Sequence, residues 1–298
     1  MRELPAYRTG RHPIPLKTFN FNWMKKVCFW LSFFCLQLIF PSCIIINNPA
    51  GQYQPDESSY KPLPVNRERG GIVYFNARDI GRVRVKGVHL EIMKSHKSEL
   101  EVSSNNIQYL KVLRFKDELY LFYDFPKTGA ESGFHKLEHK FVLYINHPIF
   151  GLNAEQTGRI TVRDLLFTPH LDVQVAHAGN VKCDVNTQEF NLIGNSASSF
   201  TGWVESQKMK VNLKGAAIAE IGGVSENVEI ITKESARFTG EKLHANRVIA
   251  DAGSRSKIVV SVGKELEATV SERGEILYHP LSEIVKKETN NGGIINSF

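Results

Sequence analysis

Two histidines and a set of acidic residues are the side chains of this sequence with the clearest capacity for chemistry. His135 and His139 stand four residues apart in HKLEH, a spacing that places two metal ligands on one face of a helix. The segment that follows, KFVLYIN, is typical of a strand, and no third ligand is evident. We therefore expect a loop at these histidines and no metal site.

Acidic residues also occur at outward positions of a repeat in the second half of the chain. In enzymes built from stacked coils, carboxylates on neighbouring coils lie about 4.8 Å apart and act together. Two outward columns of the repeat are Asn153, Asp172, Asn191, Lys210, Glu229, Ile249 and Glu267, and Asn195, Lys214, Lys233, Gly253 and Ser271. Acids do not fall on successive coils in either column, so we expect a solvated face of mixed charge and no catalytic residues.

Other ligand-binding patterns are weak. Lys208, Lys210 and Lys214 in KMKVNLK form a basic strand that acidic polysaccharide or lipid head groups could contact, but a charged outer face is expected of any solenoid. The sequence has no glycine-rich phosphate loop between a strand and a helix and no calcium-binding nonapeptide repeat. We expect no cofactor, and the pattern does not identify ligand-binding residues.

The four cysteines divide into two groups. Cys28, Cys35 and Cys43 lie in an apolar leader, which leaves Cys183 without an intramolecular disulfide partner. Cys183 falls in a column of mostly small or apolar residues and is predicted to be a buried, inert thiol. A small residue precedes Cys43 in IFPSC, as in bacterial lipoprotein signals, so Cys43 is a candidate for lipid attachment. Cleavage by an ordinary signal peptidase is the alternative.

Residues 1–46 have the organisation of an export leader. The run VCFWLSFFCLQLIFPSCIII, residues 27–46, has no charge and follows the basic MKK that begins at Met24, where translation is expected to start. The alternative is an uncleaved membrane anchor, since twenty apolar residues can span a bilayer. We expect export to the periplasm, the outer membrane or the cell surface.

Much of the +6 net charge lies in this leader rather than in the folded part of the chain, which argues against nucleic-acid binding.

The rest of the chain divides into regions that differ in composition and in the pattern of apolar residues. Residues 47–70 are rich in Pro, Asn, Gly and charge and are predicted to form a flexible tether. From Gly71 the sequence alternates apolar and polar residues, and no sustained helical period follows. We expect one all-β domain over 71–298, with N-terminal strands over 71–151, repeats over 152–280 and a tail over 281–298.

The repeat is defined by four columns in register. Units begin at residues separated by steps of 19, 19, 19, 19, 20 and 18, and these are Leu152, Leu171, Phe190, Met209, Val228, Val248 and Leu266. The residues two and ten positions later are also apolar in every unit. The residue eight positions later is small in six of the seven units, the exception being Ile160. Because one unit cannot bury a core alone, its inward residues must stack on those of its neighbours.

The period and its columns predict a right-handed parallel β-helix or β-solenoid with coils of about 19 residues, preceded by a strand-rich cap. Leucine-rich repeats have a similar period, but their L-x-x-L-x-L pattern is absent. Seven coils at roughly 4.8 Å each would form a rod of about 35 Å. LDVQVAHAGNVKC, residues 171–183, is then one coil, with Val173 and Val175 inward and Gly179 at a corner.

The sequence from about Phe75 to the C-terminus resembles the bacterial auto-transporter adhesins with a head GIN domain. The resemblance rests on the opening strands VRVKGVHLEIMKSHKSELEVSSN, on corners such as AGN, KGAA and DAGS, and on the ending ERGEILYHP followed by NNGGII. It implies a secreted or lipid-anchored envelope protein of β-helical fold and brings no catalytic residues.

Two classes of function remain. The first is a non-catalytic surface module, such as an adhesin, that binds an envelope glycan, a lipid or a surface protein, because a long repeated surface suits extended ligands. The alternative is a carbohydrate-active enzyme resembling a pectinase, with acids supplied by loops between Gly71 and Phe150. Turnover that depends on one acidic residue would distinguish the second class from the first.

Overall fold

The computed structural model describes residues 57–125, 139–280 and 286–298. The leader, the expected start at Met24, Cys43 and His135 lie outside these residues. All described strands belong to one continuous sheet of 21 strands. The described residues thus form an all-β structure, as predicted.

The described residues of the N-terminal part form nine strands and two short 3₁₀ helices. The helices are Glu57–Ser59 and Ile107–Tyr109, and the strands are β1 Lys61–Pro62, β2 Val65–Arg69, β3 Ile72–Asn76, β4 Arg82–Lys86, β5 His89–Lys94, β6 Glu99–Ser104, β7 Leu110–Phe115, β8 Glu118–Tyr123 and β9 His139–Ile145.

These strands form two antiparallel meanders that close the N-terminal end of the solenoid. Strands β1, β7 and β8 pair antiparallel, and β8 then runs parallel to β4. Strands β2, β3, β6 and β9 also pair antiparallel, and β9 runs parallel to β5. Because β4 and β5 form the first coil beneath β10 and β11, each meander continues one wall of the solenoid. The strand-rich cap is therefore confirmed.

The described part of the predicted tether is ordered structure. Residues from Glu57 onward form a 3₁₀ turn and strands β1 and β2, and the side chains of Tyr60 and Leu63 are buried. Composition misses this because only two apolar side chains anchor the segment and the backbone pairs with the cap. The ordered domain begins before Gly71.

The repeats form the coils of a parallel solenoid. Its strands are β10 Gly151–Glu155, β11 Arg159–Val162, β12 Leu166–Val175, β13 Asn180–Lys182, β14 Val185–Asn195, β15 Ser199–Lys214, β16 Ile218–Thr232, β17 Arg237–Ala252, β18 Lys257–Val270, β19 Glu275–Pro280, β20 Lys286–Thr289 and β21 Ile294–Ser297. There are about seven coils, about 19 residues apart. Since β20 and β21 pair in parallel with β18 and β19, the described residues of the predicted tail extend the solenoid.

The inward columns form continuous stacks. Val173 pairs with Leu192, Leu192 with Val211 and Val211 with Ile230, and all four side chains are buried. In the neighbouring stack Ala219 lies between Phe200 and Phe238, so a small side chain separates two large ones. Alternation of volumes keeps the interior filled without overlap.

The register of the first unit differs from the prediction. Leu152 pairs with Val173 rather than Leu171, and Ile160 pairs with Val181. The loop between Val162 and Leu166 is two residues longer than its counterpart in the next coil, which shifts everything before it. The exception in the small-residue column thereby disappears, because Gly158 and not Ile160 occupies the corner.

The corners are tight turns in which two consecutive residues adopt positive φ and a small residue follows. In one coil these are His177 (φ 51°), Ala178 (φ 61°) and Gly179. The amide of Ala178 donates to the carbonyl of Ser196 in the next coil at 3.0 Å, so the turns are themselves laddered. A Cβ atom on Gly179 would lie 2.2 Å from the carbonyl oxygen of Ala154, which explains the small residue.

Candidate functional site

The histidine pair is divided between described and undescribed residues. His139 begins β9, and its ring stacks on Phe141 with centroids 5.0 Å apart. Burial lowers the pKa of His139, which favours the neutral imidazole. Among the described residues, no group of three or more His, Cys, Asp or Glu side chains is arranged to hold a metal ion.

The outward charges of the coils pair with one another along the rod. Lys210 lies 3.4 Å from Glu229, and Lys286 lies 3.4 Å from Glu267. The basic strand follows the same rule, since Lys208 contacts Glu189 at 3.8 Å and Lys214 contacts Glu234 at 3.1 Å. Each of these four cations is thus matched by an acid one coil away. Among the described residues of this wall, the ion pairs join a cation to an acid and do not bring two carboxylates together.

Cys183 is buried in the core, as its column predicted. Its thiol contacts the carbonyl oxygen of Asp184 at 3.6 Å, and burial raises the pKa of the thiol. The neighbouring coil approaches closely, because a Cβ atom on Gly202 would lie 1.9 Å from the carbonyl oxygen of Cys183. A protonated thiol in this position is a packing group.

A group of titratable side chains with shifted pKa values lies between the cap and the segment that begins at Glu57. The Arg84 guanidinium donates to both carboxylate oxygens of Glu155 at 3.0 and 3.3 Å and lies 4.5 Å from the ring centre of Tyr120. Burial lowers the pKa of Arg84, but the hydrogen bonds and charge of Glu155 outweigh it and raise the pKa. Burial raises the pKa of Tyr60 to about 12 and also raises the pKa of Glu118.

This group is closed to ligands. Arg84 is 9% exposed, and the rings of Tyr120 and Tyr60 pack against each other with centroids 5.4 Å apart. The Tyr120 hydroxyl donates to Glu57 at 3.3 Å. The cluster therefore fastens the segment that begins at Glu57 to the cap, although its perturbed pKa values alone would suggest an active site.

An open groove, which we call the solenoid groove, runs across strands β12, β14, β15 and β16. Its volume is about 770 Å³, and its rim is formed by Phe167, Asn186, Gln188, Glu205, Gln207 and Val224. Phe167, Asn186, Glu205 and Val224 follow one another on four successive coils. Phe167 is 55% exposed and Val224 is 53% exposed, so apolar side chains flank a polar middle.

The floor of the groove is fixed by hydroxyl groups. Thr168 Oγ1 donates to the carbonyl of His170 at 2.9 Å, and Thr187 Oγ1 donates to the carbonyl of Glu189 at 3.0 Å. Each bond joins a residue to the second residue after it, within β12 in one coil and within β14 in the next. A floor held this way presents its rim residues at constant spacing.

Trp203 lies beside the groove, where it contacts the rim residue Glu205. Trp203 Nε1 donates to Glu205 Oε1 at 3.3 Å, and Asn186 Nδ2 donates to Glu205 Oε2 at 2.8 Å. The indole ring lies over Gly222, where a Cβ atom would be 2.8 Å from Trp203 Cε3. Trp203 is nevertheless 42% exposed. The arrangement presents an aromatic face beside a carboxylate whose orientation is set by two donors.

A second depression, the cap cleft, adjoins the groove at Phe167. Its volume is about 600 Å³, and its walls include Lys94, His96 and His147. The Lys94 ammonium lies 4.7 Å from the ring centre of Phe167, which forms a wall of both depressions. The two depressions thus adjoin at Phe167.

Phe167, Trp203 and Glu205 were not among the site residues predicted from the sequence. One signal was available, because Gly202 stands nineteen residues after Cys183 and shares its inward column, which makes Trp203 an outward residue. A large aromatic side chain at an outward position is a candidate contact residue.

The predicted lipid-attachment residue Cys43 and the apolar run of residues 27–46 lie outside the described residues. Within the part of the chain that the structure describes, no helix has the length and apolar character needed to cross a membrane.

Comparisons with known proteins agree with the fold and supply a family. Residues 82–280 match the family model described as "Putative auto-transporter adhesin, head GIN domain". None of the curated proteins matches the sequence.

Solved structures of other proteins share the architecture. A putative adhesin from Parabacteroides merdae ATCC 43184 superposes with a TM-score of 0.69 at 12% identity, covering 76% of this chain and 95% of that chain. A putative lipid binding protein from Parabacteroides distasonis ATCC 8503 has a TM-score of 0.65 at 18% identity, with 76% and 96% covered. A putative adhesin from the same strain gives 0.67 at 15% identity, with 76% and 95% covered. At these identities the likeness shows the fold alone.

Proposed function

The chain belongs to the family of putative auto-transporter adhesins with a head GIN domain, and from this premise we propose that it is a non-enzymatic binding module of the cell envelope. It holds an extended envelope ligand along one side of its solenoid, in the solenoid groove. Solved relatives of the same fold are named as adhesins and as a lipid binding protein, which supports a binding role on a surface or lipid partner.

One observation carries the proposal. The solenoid groove lines up exposed apolar side chains and hydrogen-bonding groups over four successive coils, whereas the charges on a neighbouring wall are matched to one another. Binding sites combine apolar contact area with a few placed polar groups in this way. The groove is also long in one direction, which suits a chain-like ligand.

The location follows from the leader and the family. We propose export through the signal in residues 1–46 and retention in the envelope by lipid on Cys43. Metabolic labelling with radioactive palmitate tests the anchor: wild type should carry label, and Cys43→Ala should not. Equal labelling of the two proteins, or none in either, would remove the lipid anchor from the proposal.

Retention on isolated cell envelopes tests the binding role. The purified protein should sediment with envelopes of the host bacterium, and a Phe167→Ala/Trp203→Ala variant should lose at least tenfold of that retention. The matched control is Ile249→Ala/Ile294→Ala, which removes two exposed aliphatic side chains from other surfaces and should bind as wild type does.

The same preparation tests for catalysis. Incubation with envelope polysaccharides should release no reducing ends. Release that is abolished by Glu205→Gln, or by changing an acid between Gly71 and Phe150, would make the protein a carbohydrate-active enzyme instead.

In the retention experiment, equal retention of the Phe167→Ala/Trp203→Ala variant and the control would show that the groove is not the binding surface.

A further inference from the structure

Resting on the proposed binding function, we propose that the solenoid groove takes an uncharged glycan chain laid along the rod axis, with about one pyranose unit per coil. Three features lead to it, namely the charge of the groove, the pair formed by the rim residue Glu205 and the adjoining Trp203, and the spacing of the groove.

The charge of the residues that line the groove disfavours polyanionic ligands. Ten described residues line it, and one of these, Glu205, is charged, while the rest supply amides, hydroxyls and apolar groups. An anionic lipid surface or an acidic polysaccharide is attracted by clustered Lys and Arg side chains. The groove has none of these among its lining residues and would place the Glu205 carboxylate against such a ligand. Amides and hydroxyls instead match a ligand rich in uncharged hydroxyl groups.

The Trp203 and Glu205 pair matches the two faces of a sugar. One side of a pyranose ring presents C–H groups, which pack on an exposed aromatic face, and its edge presents neighbouring hydroxyls. The Trp203 ring is fixed over Gly222 and still accessible. Each carboxylate oxygen of Glu205 accepts one hydrogen bond, from Trp203 or Asn186, which leaves a further lone pair on each oxygen for a sugar hydroxyl.

The spacing of the groove matches a glycan chain. Successive coils place equivalent side chains about 4.8 Å apart, which is close to the length of one pyranose unit in an extended chain. Phe167, Asn186, Glu205 and Val224 occupy four successive coils at one position. An extended chain of about four sugars therefore meets apolar contacts at both ends and hydrogen-bonding groups between them.

Titration with defined oligosaccharides tests the inference. Isothermal titration calorimetry of the purified protein with cellohexaose, maltohexaose and mannohexaose should give a Kd below about 1 mM for at least one of them. Hexagalacturonate and vesicles of phosphatidylglycerol should bind at least tenfold more weakly. With the hexasaccharide that binds, Trp203→Ala should weaken binding at least tenfold and Glu205→Gln about fivefold, and the matched control Ile249→Ala should leave it unchanged.

Tryptophan fluorescence locates the contact. Trp203 is the one tryptophan beyond the leader, so the hexasaccharide that binds should change its emission. Trp203→Phe should abolish that change while calorimetry still detects binding, because phenylalanine retains an aromatic face. Binding that is unaffected by Trp203→Ala would overturn the inference even if a sugar binds.

The failures of the two proposals differ. If none of the neutral hexasaccharides binds while envelope retention still depends on Phe167 and Trp203, the glycan inference is wrong and the binding module stands. Tighter binding of phosphatidylglycerol vesicles through the same residues would likewise replace the glycan by a lipid surface. If envelope retention does not depend on the groove, both proposals fail.

Discussion

Arg84 shows how a single buried charge organises the cap. The Arg84 side chain is almost fully buried. Its charge is balanced by both carboxylate oxygens of Glu155 and by the ring of Tyr120. Removing one partner of such a pair leaves an uncompensated charge in a medium of low polarity, which costs more than the pair itself contributes. The residue is therefore a sensitive probe of the cap.

Replacing Glu155 by glutamine should destabilise the protein by about 3–5 kcal/mol, because the Arg84 charge then stays buried without its counter-ion. Urea unfolding followed by circular dichroism measures the change. Glu229→Gln removes the partner of an exposed pair, Lys210 and Glu229, and should change the free energy of unfolding by less than about 1 kcal/mol. Similar effects of the two substitutions would contradict the burial of Arg84.

Cys183 should behave as a core group towards thiol reagents. Because burial raises its folded-state pKa above the ordinary value of 9.0, the thiol stabilises the fold below that pH, and this contribution is lost as pH rises through the folded value. Iodoacetamide labelling at pH 8, read by peptide mass spectrometry, should follow the urea unfolding transition. Complete labelling in native buffer within minutes would show that the thiol is accessible.

At the scale of the element, the inward columns were predictable and the corners only in part. Inward residues must match their neighbours on both sides, so Val173, Leu192 and Val211 stay in register and reveal the period. The longer loop between Val162 and Leu166 breaks that count, because added residues bulge outward without disturbing the core. Counting a fixed period does not detect such a bulge, and for this reason the predicted register of the first unit was wrong by two residues.

Substituting aspartate at two adjacent positions of β15 tests the columns directly. Val211→Asp places a charge in the core, and the protein should fail to fold or lose more than about 4 kcal/mol of stability. Asn212→Asp places the same residue on the exposed side of the same strand and should change stability by about 0.5 kcal/mol or less. A folded Val211→Asp protein as stable as Asn212→Asp would refute the inward stack.

At the scale of the whole molecule, the solenoid converts a one-dimensional repeat into walls of different character. One wall carries matched charges and another carries the groove, yet both arise from outward positions that look alike in the sequence. The groove could not be predicted from the sequence, because Phe167, Glu205 and Val224 are far apart in the chain. They lie side by side only when coils of known register are stacked. Its ordering by Asn186, Trp203 and Gly222 likewise depends on contacts between coils.

Hydroxyl-radical footprinting of the protein with and without envelope polysaccharide fragments tests the central claim, that the solenoid groove is the binding surface, most directly. Phe167 and Phe298 are 55% and 53% exposed and should oxidise at comparable rates in the free protein. Bound fragments should lower the oxidation of Phe167 and Trp203 at least threefold and leave Phe298 unchanged. Binding of fragments without protection of Phe167 and Trp203, or with protection of Phe298 alone, would contradict the account.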